Sequence, residues 1–265
     1  MNNPWLTLPA ANRGAEVRLF CFPYAGGGSA IFRTWRDYLP VAIEVCPVNL
    51  PGRESRIRER PRTDFDGLVG DIARAVLPHL DKPFALFGHS MGALLAFEVA
   101  RRLHSEHGAR PAHLFVSGHR APQIKGRHRS YDLPEPEFIQ ALRDLDGPVR
   151  EVLKHPELME LMLPLLRADF MLCETYEYVP GPLLGCPLTA LGGLCDSDVA
   201  REHLHPWGEL TTGPFAARML PGDHFYILTE QAPLLRAVAN DLLKARGAWP
   251  PARATPPAGA RDLNA

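Results

Sequence analysis

The sequence predicts an α/β fold, a mostly parallel β-sheet flanked by helices on both faces, with a helical lid inserted over one end. Short apolar, β-branched or aromatic runs alternate with segments of helical periodicity, as in chains built from strand–helix–strand units. The runs are hydrophobic at nearly every position, which marks strands buried on both faces. One interval between successive strands is about 70 residues long, far more than a crossover connection needs.

The elements follow in order. Val17–Phe22 and Ile43–Val48 read as the first two strands. A helix is expected over Asp64–Leu80, because Phe65, Leu68, Val69, Ile72, Val76 and Leu77 recur on one face, with Thr63 or Asp64 as N-cap. Phe84–Phe87 is a strand and Met91–Leu103 a helix, apolar nearly all round and therefore buried. His113–Ser117 is the next strand. The long interval then carries helices over Glu135–Asp144, Val149–Leu153 and Pro156–Tyr176. Pro187–Leu191 and Ala216–Leu220 are the last strands, and Gln231–Ala245 the closing helix. Residues 1–245 are thus expected to form one domain with its lid over residues 120–183. The Pro/Ala-rich residues 246–265 have little to bury and are expected to be disordered.

Proline supplies 27 of the 265 residues, roughly twice the usual ~5%. Its positions favour the same layout. Pro83, Pro111, Pro187 and Pro214 lie at or just before strand starts, where a missing N–H is tolerated. Others punctuate the short helices of the lid.

Lys and Arg total 29 against 30 Asp and Glu, a balance that argues against a chain-wide basic surface for nucleic acid. The cysteines (Cys21, Cys46, Cys173, Cys186, Cys195) show neither a disulfide framework nor zinc spacing. The opening residues lack the pattern of a signal peptide, and no apolar run is long enough to span a membrane. A cytoplasmic location is expected.

Gly88-His-Ser-Met-Gly92 lies between a strand and a buried helix, the setting in which GxSxG makes a nucleophile elbow. The turn would lift the Ser90 hydroxyl clear of the sheet at a helix N-terminus, which favours developing negative charge. A serine nucleophile needs a base, and the base an orienting acid, each beyond a later strand in the order Ser, Asp/Glu, His. Asp196 and His224 follow the last two strands in that order; Asp198 competes with Asp196, while Asp223 reads as a turn residue. His89 is expected to be structural or part of the pocket wall, and Cys195 a small packed residue, not a second nucleophile. The Met91 N–H at the helix start and the Ala25 N–H, in the glycine-rich loop after the first strand, are the candidate oxyanion donors. That loop matches neither GxGxxG nor GxxxxGK[ST].

Pro23-Tyr-Ala-Gly-Gly, Leu50-Pro-Gly-Arg53, Gly88-His-Ser-Met-Gly92, Leu163-Pro-Leu-Leu-Arg-Ala-Asp169, Gly192-Gly with Asp196, and Gly222-Asp-His-Phe225 occur in that order over residues 15–245. Together they resemble the type II thioesterases of polyketide and nonribosomal peptide synthesis, α/β-hydrolases with a helical lid. The resemblance implies hydrolysis of acyl groups from the phosphopantetheine arm of acyl or peptidyl carrier proteins, with no cofactor or metal, no nucleic acid and no membrane as partner. It implies Ser90, Asp196 and His224 as triad, and Ala25 and Met91 as oxyanion hole. Tyr24 stands where many relatives carry histidine, a change expected to bear on acyl preference.

Arg53, Arg56, Arg58, Arg60 and Arg62 crowd one loop, and Arg120, Lys125, Arg127 and Arg129 another. Both read first as solvated charge runs; alternatively they steer an acidic carrier or its phosphate, with Arg53 and Arg120 as candidate contacts. Leu158, Leu161, Met162, Leu165 and Leu166 read as core of the lid, with a share in an acyl pocket as the alternative. Other activities compatible with the residues are hydrolysis of free acyl-CoA or small esters, acyl transfer to an amine or alcohol, and a silent scaffold that only binds.

Overall fold

The structure is a computed structural model and describes residues 3–8, 12, 14–124, 129–144 and 147–250. Its elements run β1 (Val17–Phe22), α1 (Trp35–Tyr38), β2 (Ile43–Pro47), α2 (Phe65–Val76), β3 (Phe84–His89), α3 (Met91–His107) and β4 (His113–Ser117). The chain continues through α4 (Glu135–Asp144), α5 (Val149–Val152), α6 (Pro156–Glu174), β5 (Leu188–Gly193), β6 (Phe215–Leu220), α7 (Tyr226–Thr229) and α8 (Gln231–Lys244). The six strands form one parallel sheet in the order β2-β1-β3-β4-β5-β6.

Side chains of a strand alternate between faces, and both faces of this sheet are covered. In β1, Val17, Leu19 and Cys21 join one buried cluster with Trp35 of α1 and Leu234, Leu235 and Val238 of α8. Phe20 and Phe22 join another with Leu68, Ile72 and Val76 of α2 and Leu95 and Val99 of α3. Such two-sided burial leaves no polar alternation to read, hence the continuous apolar runs.

The prolines beside the strands work as acceptors. The carbonyls of Pro83, Pro187 and Pro214 take the N–H groups of Arg18, Leu114 and Leu188 at 2.9 Å each, bonds that need no proline N–H. Asp64 is the N-cap of α2, its carboxylate accepting from the Gly67 N–H at 3.1 Å. That helix stops at Val76, short of the expected Leu80, and continues as a 3₁₀ turn over Leu77–His79 with Pro78 inside.

In the inserted segment, α4, α5 and α6 gather a small cluster of their own around Phe138, Leu142, Met159 and Leu166. At the far end of α6, Leu172 enters the main core. Of the apolar residues singled out there, Leu165 and Leu166 are buried, whereas Leu158 and Leu161 are exposed. No described helix is long and apolar enough to cross a membrane. Of residues 246–265, expected to be disordered, Arg246–Ala248 instead form a 3₁₀ turn and Trp249 packs against the core, its Nε1 donating to the Leu242 carbonyl at 3.1 Å. The stretch from 251 onward, and Lys125 and Arg127, lie outside the described residues.

Candidate active site

A parallel sheet sends all its carboxyl ends to one edge, and the expected site residues lie there. Register pairs His89 with Ser117, Ser117 with Leu191, and Gly193 with Leu220. The loops after β1, β3, β5 and β6 therefore meet above that edge, the usual place for a ligand crevice in such sheets.

Ser90 sits between β3 and α3 at φ 54°, ψ −119°, a backbone conformation rarely adopted by residues with a Cβ. Its N–H donates to the Ser117 carbonyl at 2.8 Å, which ties the turn to β4. The flanking glycines are obligatory: a Cβ on Gly88 would lie 1.9 Å from the Gly92 carbonyl oxygen, and one on Gly92 would lie 2.2 Å from that of Phe22. Ser90 is half-buried at the start of α3.

Asp196 and His224 arrive from the next two loops. His224 Nδ1 lies 2.8 Å from Asp196 Oδ2. Asp196 Oδ1 accepts from the N–H groups of Asp198 and Val199 at 2.9 and 3.0 Å. Burial alone would raise the Asp196 pKa, but the hydrogen bonds from His224 and the two N–H groups hold it below the ordinary carboxylate value. An ionised carboxylate only accepts, so Nδ1 carries the proton and Nε2 is left as a base. Asp198, the competing acid, is exposed and instead pairs with Arg120 at 3.3 Å. Asp223 is the turn residue expected, its carboxylate accepting from the Phe225 N–H at 2.8 Å.

Among the described residues, neither the Ala25 nor the Met91 N–H has an acceptor, so both remain as donors. The loop carrying Ala25 is pinned at two points just beyond it. Gly26 N–H donates to Asp169 Oδ2 at 2.7 Å. Glu54 accepts from the N–H groups of Ser29 and Ala30 at 2.9 and 2.8 Å.

His89 is fully buried and structural, as expected, and has a specific task. Its Nε2 lies 2.9 Å from the His224 carbonyl and its Nδ1 2.9 Å from Ser117 Oγ, which in turn meets the Tyr226 hydroxyl. Burial pushes its pKa well below the usual histidine value. The carbonyl can only accept, so neutral His89 carries its proton on Nε2; Ser117 then donates to Nδ1 and Tyr226 to Ser117. This one-way chain props the loop that bears His224. Residue types alone mark none of its three members; the placement of His89 and Ser117 at adjacent strand ends is the signal.

Several expectations change. Arg53 is not a surface contact: it is buried and paired bidentately with Asp169, Nη1 to Oδ2 and Nη2 to Oδ1, both at 2.8 Å. Arg56 is likewise buried, stacked 4.1 Å over the Trp5 ring and bonded to Glu59. Arg62 pairs with Asp71. Arg58, Arg60 and Arg129 remain exposed. Arg120 is held by Asp198 with its side chain 15% exposed. Tyr24 is buried, its ring edge-on to His89 and Phe225 with centroids 6.1 and 5.2 Å away, and burial raises its hydroxyl pKa to about 12. Cys195 is exposed, not packed, because β5 has already ended at Gly193.

A family model described as the thioesterase domain matches residues 17–244. The chain is 45% identical over 242 residues to a Brevibacillus parabrevis protein called linear gramicidin dehydrogenase LgrE, covering 90% of this chain and 92% of that one. It superposes on RedJ, a thioesterase from the prodiginine biosynthetic pathway of Streptomyces coelicolor, with a TM-score of 0.81 and 41% identity, over 89% of this chain and 90% of the other. The type II thioesterase BorB, from the borrelidin biosynthetic cluster, gives a TM-score of 0.80 at 34% identity, over 92% and 98%. The first of these names speaks of a dehydrogenase; the matching domain and both structures are described as thioesterases.

Proposed function

The chain belongs to the thioesterase family and is a hydrolase of thioesters; from that premise we propose that its substrates are acyl groups on the phosphopantetheine arm of acyl or peptidyl carrier proteins. Relatives named for the prodiginine and borrelidin pathways support this assignment to polyketide or nonribosomal peptide synthesis. The observation that carries the mechanism is the strained elbow at Ser90, whose neighbour His89 holds the His224 carbonyl at 2.9 Å, together with the pairing of His224 to Asp196 from another loop.

In this reading His224 Nε2 takes the Ser90 proton as Oγ attacks the thioester carbonyl. The oxyanion accepts from the Ala25 and Met91 N–H groups, each such donor being worth about 2.7–4 kcal/mol, and the N-terminus of α3 adds its dipole. The C–S bond then breaks. Its thiolate leaves readily, and the His224 imidazolium returns the proton to it. A water activated by His224 attacks the acyl-serine, releasing the carboxylic acid and restoring Ser90. The chemistry uses no cofactor beyond the pantetheine that carries the substrate. The inserted helices act as the lid, the exposed Arg58, Arg60 and Arg129 face the acidic carrier, and the enzyme works in the cytoplasm beside its synthase.

The test is intact-protein mass spectrometry with a panel of acyl-carrier proteins. The wild type should release free acid and carry a transient acyl adduct, and Ser90→Ala should do neither. Hydrolysis at the wild-type rate by Ser90→Ala would overturn the mechanism; turnover of acyl-CoA in preference to every carrier would overturn the substrate.

A further inference from the structure

Asp169 is a carboxylate in the middle of a helix, with its side chain only 1% exposed, facing an arginine that is 6% exposed. A buried ion pair is poor evidence for stability, since apolar side chains of similar volume often serve as well. The geometry of this one shows what else it does. Asp169 Oδ2 accepts from both Arg53 Nη1 and the Gly26 N–H, at 2.8 and 2.7 Å. The same Nη1 donates to the Gly27 carbonyl at 3.0 Å, and Nε to that of Pro51 at 3.3 Å. The pair thus grips the Gly26–Gly27 segment by a donor and an acceptor at once. Gly26 holds φ +76° there, and the next residue back is Ala25.

We infer that Asp169 and Arg53 are positioning residues for the oxyanion hole, holding the Gly26–Gly27 backbone so that the Ala25 N–H points at the developing oxyanion. The inference rests on the serine mechanism proposed above. It has a mechanical consequence. Asp169 belongs to α6, in the inserted segment, whereas Ala25 belongs to the loop after β1. Displacing α6 removes the acceptor from the Gly26 N–H, so the oxyanion hole is complete only while that helix is seated. Hydrolysis is thereby coupled to the position of the insertion.

The experiment uses the full chain with Arg53→Met/Asp169→Leu, which replaces the pair by apolar side chains and leaves no unpaired buried charge, alongside Asp169→Asn. Active sites are counted by the burst of acyl-serine, so that misfolded protein does not enter kcat. The double variant should lose about 10- to 100-fold in kcat, part of the 10²–10³ that one oxyanion donor supplies, with KM within about threefold. Its affinity for a trifluoromethyl ketone, which forms a hemiketal oxyanion on Ser90, should fall by the same factor. Asp169→Asn keeps an oxygen for the Gly26 N–H and should recover part of the loss if it folds. A double variant with kcat per active site and ketone affinity both within twofold of wild type would overturn the inference. A failed serine mechanism would show separately, as activity persisting in Ser90→Ala.

Discussion

The strain at the nucleophile can be measured by removing it. Among the described residues only Glu54 and Ser90 have positive φ without being glycine, and Ser90 is at φ 54°, ψ −119°. Holding a residue with a Cβ in such a region costs about 1–3 kcal/mol. Ser90→Gly removes the Cβ, and with it the strain, but gives the unfolded chain extra freedom worth about 0.4–1 kcal/mol. Ser90 Oγ makes no hydrogen bond among the described residues, so loss of the hydroxyl costs little. The net expectation is a gain of about 1 kcal/mol, a rise of about 2–4 °C in Tm for a domain of this size. Ser90→Ala is the control, because it loses the hydroxyl and keeps the Cβ. Calorimetry and urea unfolding of both variants decide the matter. Ser90→Gly should be the more stable, with both inactive. If Ser90→Gly unfolds at or below the temperature of Ser90→Ala, the elbow stores no strain and the reasoning fails.

Two further outcomes follow from the same geometry. Asp196→Asn should lower kcat by about 10²–10⁴ with little change in KM, because an amide no longer fixes the tautomer that leaves Nε2 unprotonated; steady-state kinetics and the pH profile check this, and a loss below about tenfold would contradict the role. Acid should destabilise the fold below pH 6.5, since buried His89 is held well below that ordinary value and burial lowers His113 and His119 to about 4. The unfolded chain takes up these protons first, so stability is fully present above about 6.5 and declines by about 1.4 kcal/mol per pH unit per histidine, down to about pH 4 for His113 and His119. Urea midpoints from pH 8 to pH 4 measure the slope, and a flat profile from 6.5 to 5 would refute it.

What could be read from the chain is what local chemistry encodes. The strand at Val17–Phe22 and the helix at Glu135–Asp144 have the bounds that their apolar patterns give, and Asp64 caps where a short acidic side chain should. The order of Ser90, Asp196 and His224 was legible because each follows a strand whose end must lie on one edge of a parallel sheet. Strand order was not, since strands apolar on both faces carry no mark of their neighbours. Nor was the inward turn of Arg53. Five arginines between 53 and 62 look alike as text, and only partners far along the chain, Asp169 for Arg53 and Trp5 for Arg56, separate the two buried ones from the exposed Arg58 and Arg60. The exposure of Cys195 is hidden in the sequence for a related reason: an apolar approach to a loop does not say where the strand ends.

The carboxylates around the site show why this pair is kept as a unit. The sheet sets where the loops begin, but their tips are held by side chains from elsewhere: Glu54 for Ser29 and Ala30, Asp169 for Gly26, Asp196 for Val199, and neutral His89 for His224. A carboxylate suits this work because it accepts several N–H bonds at once. It is also a liability, since a negative charge in a poorly screened site opposes the oxyanion that the reaction must form. Each charge is answered in its own way. Glu54 lies at the surface, where water screens it. Asp196 faces the imidazole that becomes positive as the oxyanion becomes negative. Asp169 has neither solvent nor a titrating partner, and it holds the N–H of Gly26, the residue next to the expected donor Ala25. It requires a permanent countercharge, and a guanidinium, protonated at every working pH, supplies one. Lysine could balance the charge but could not also match both carboxylate oxygens and reach the Gly27 carbonyl in one planar fork.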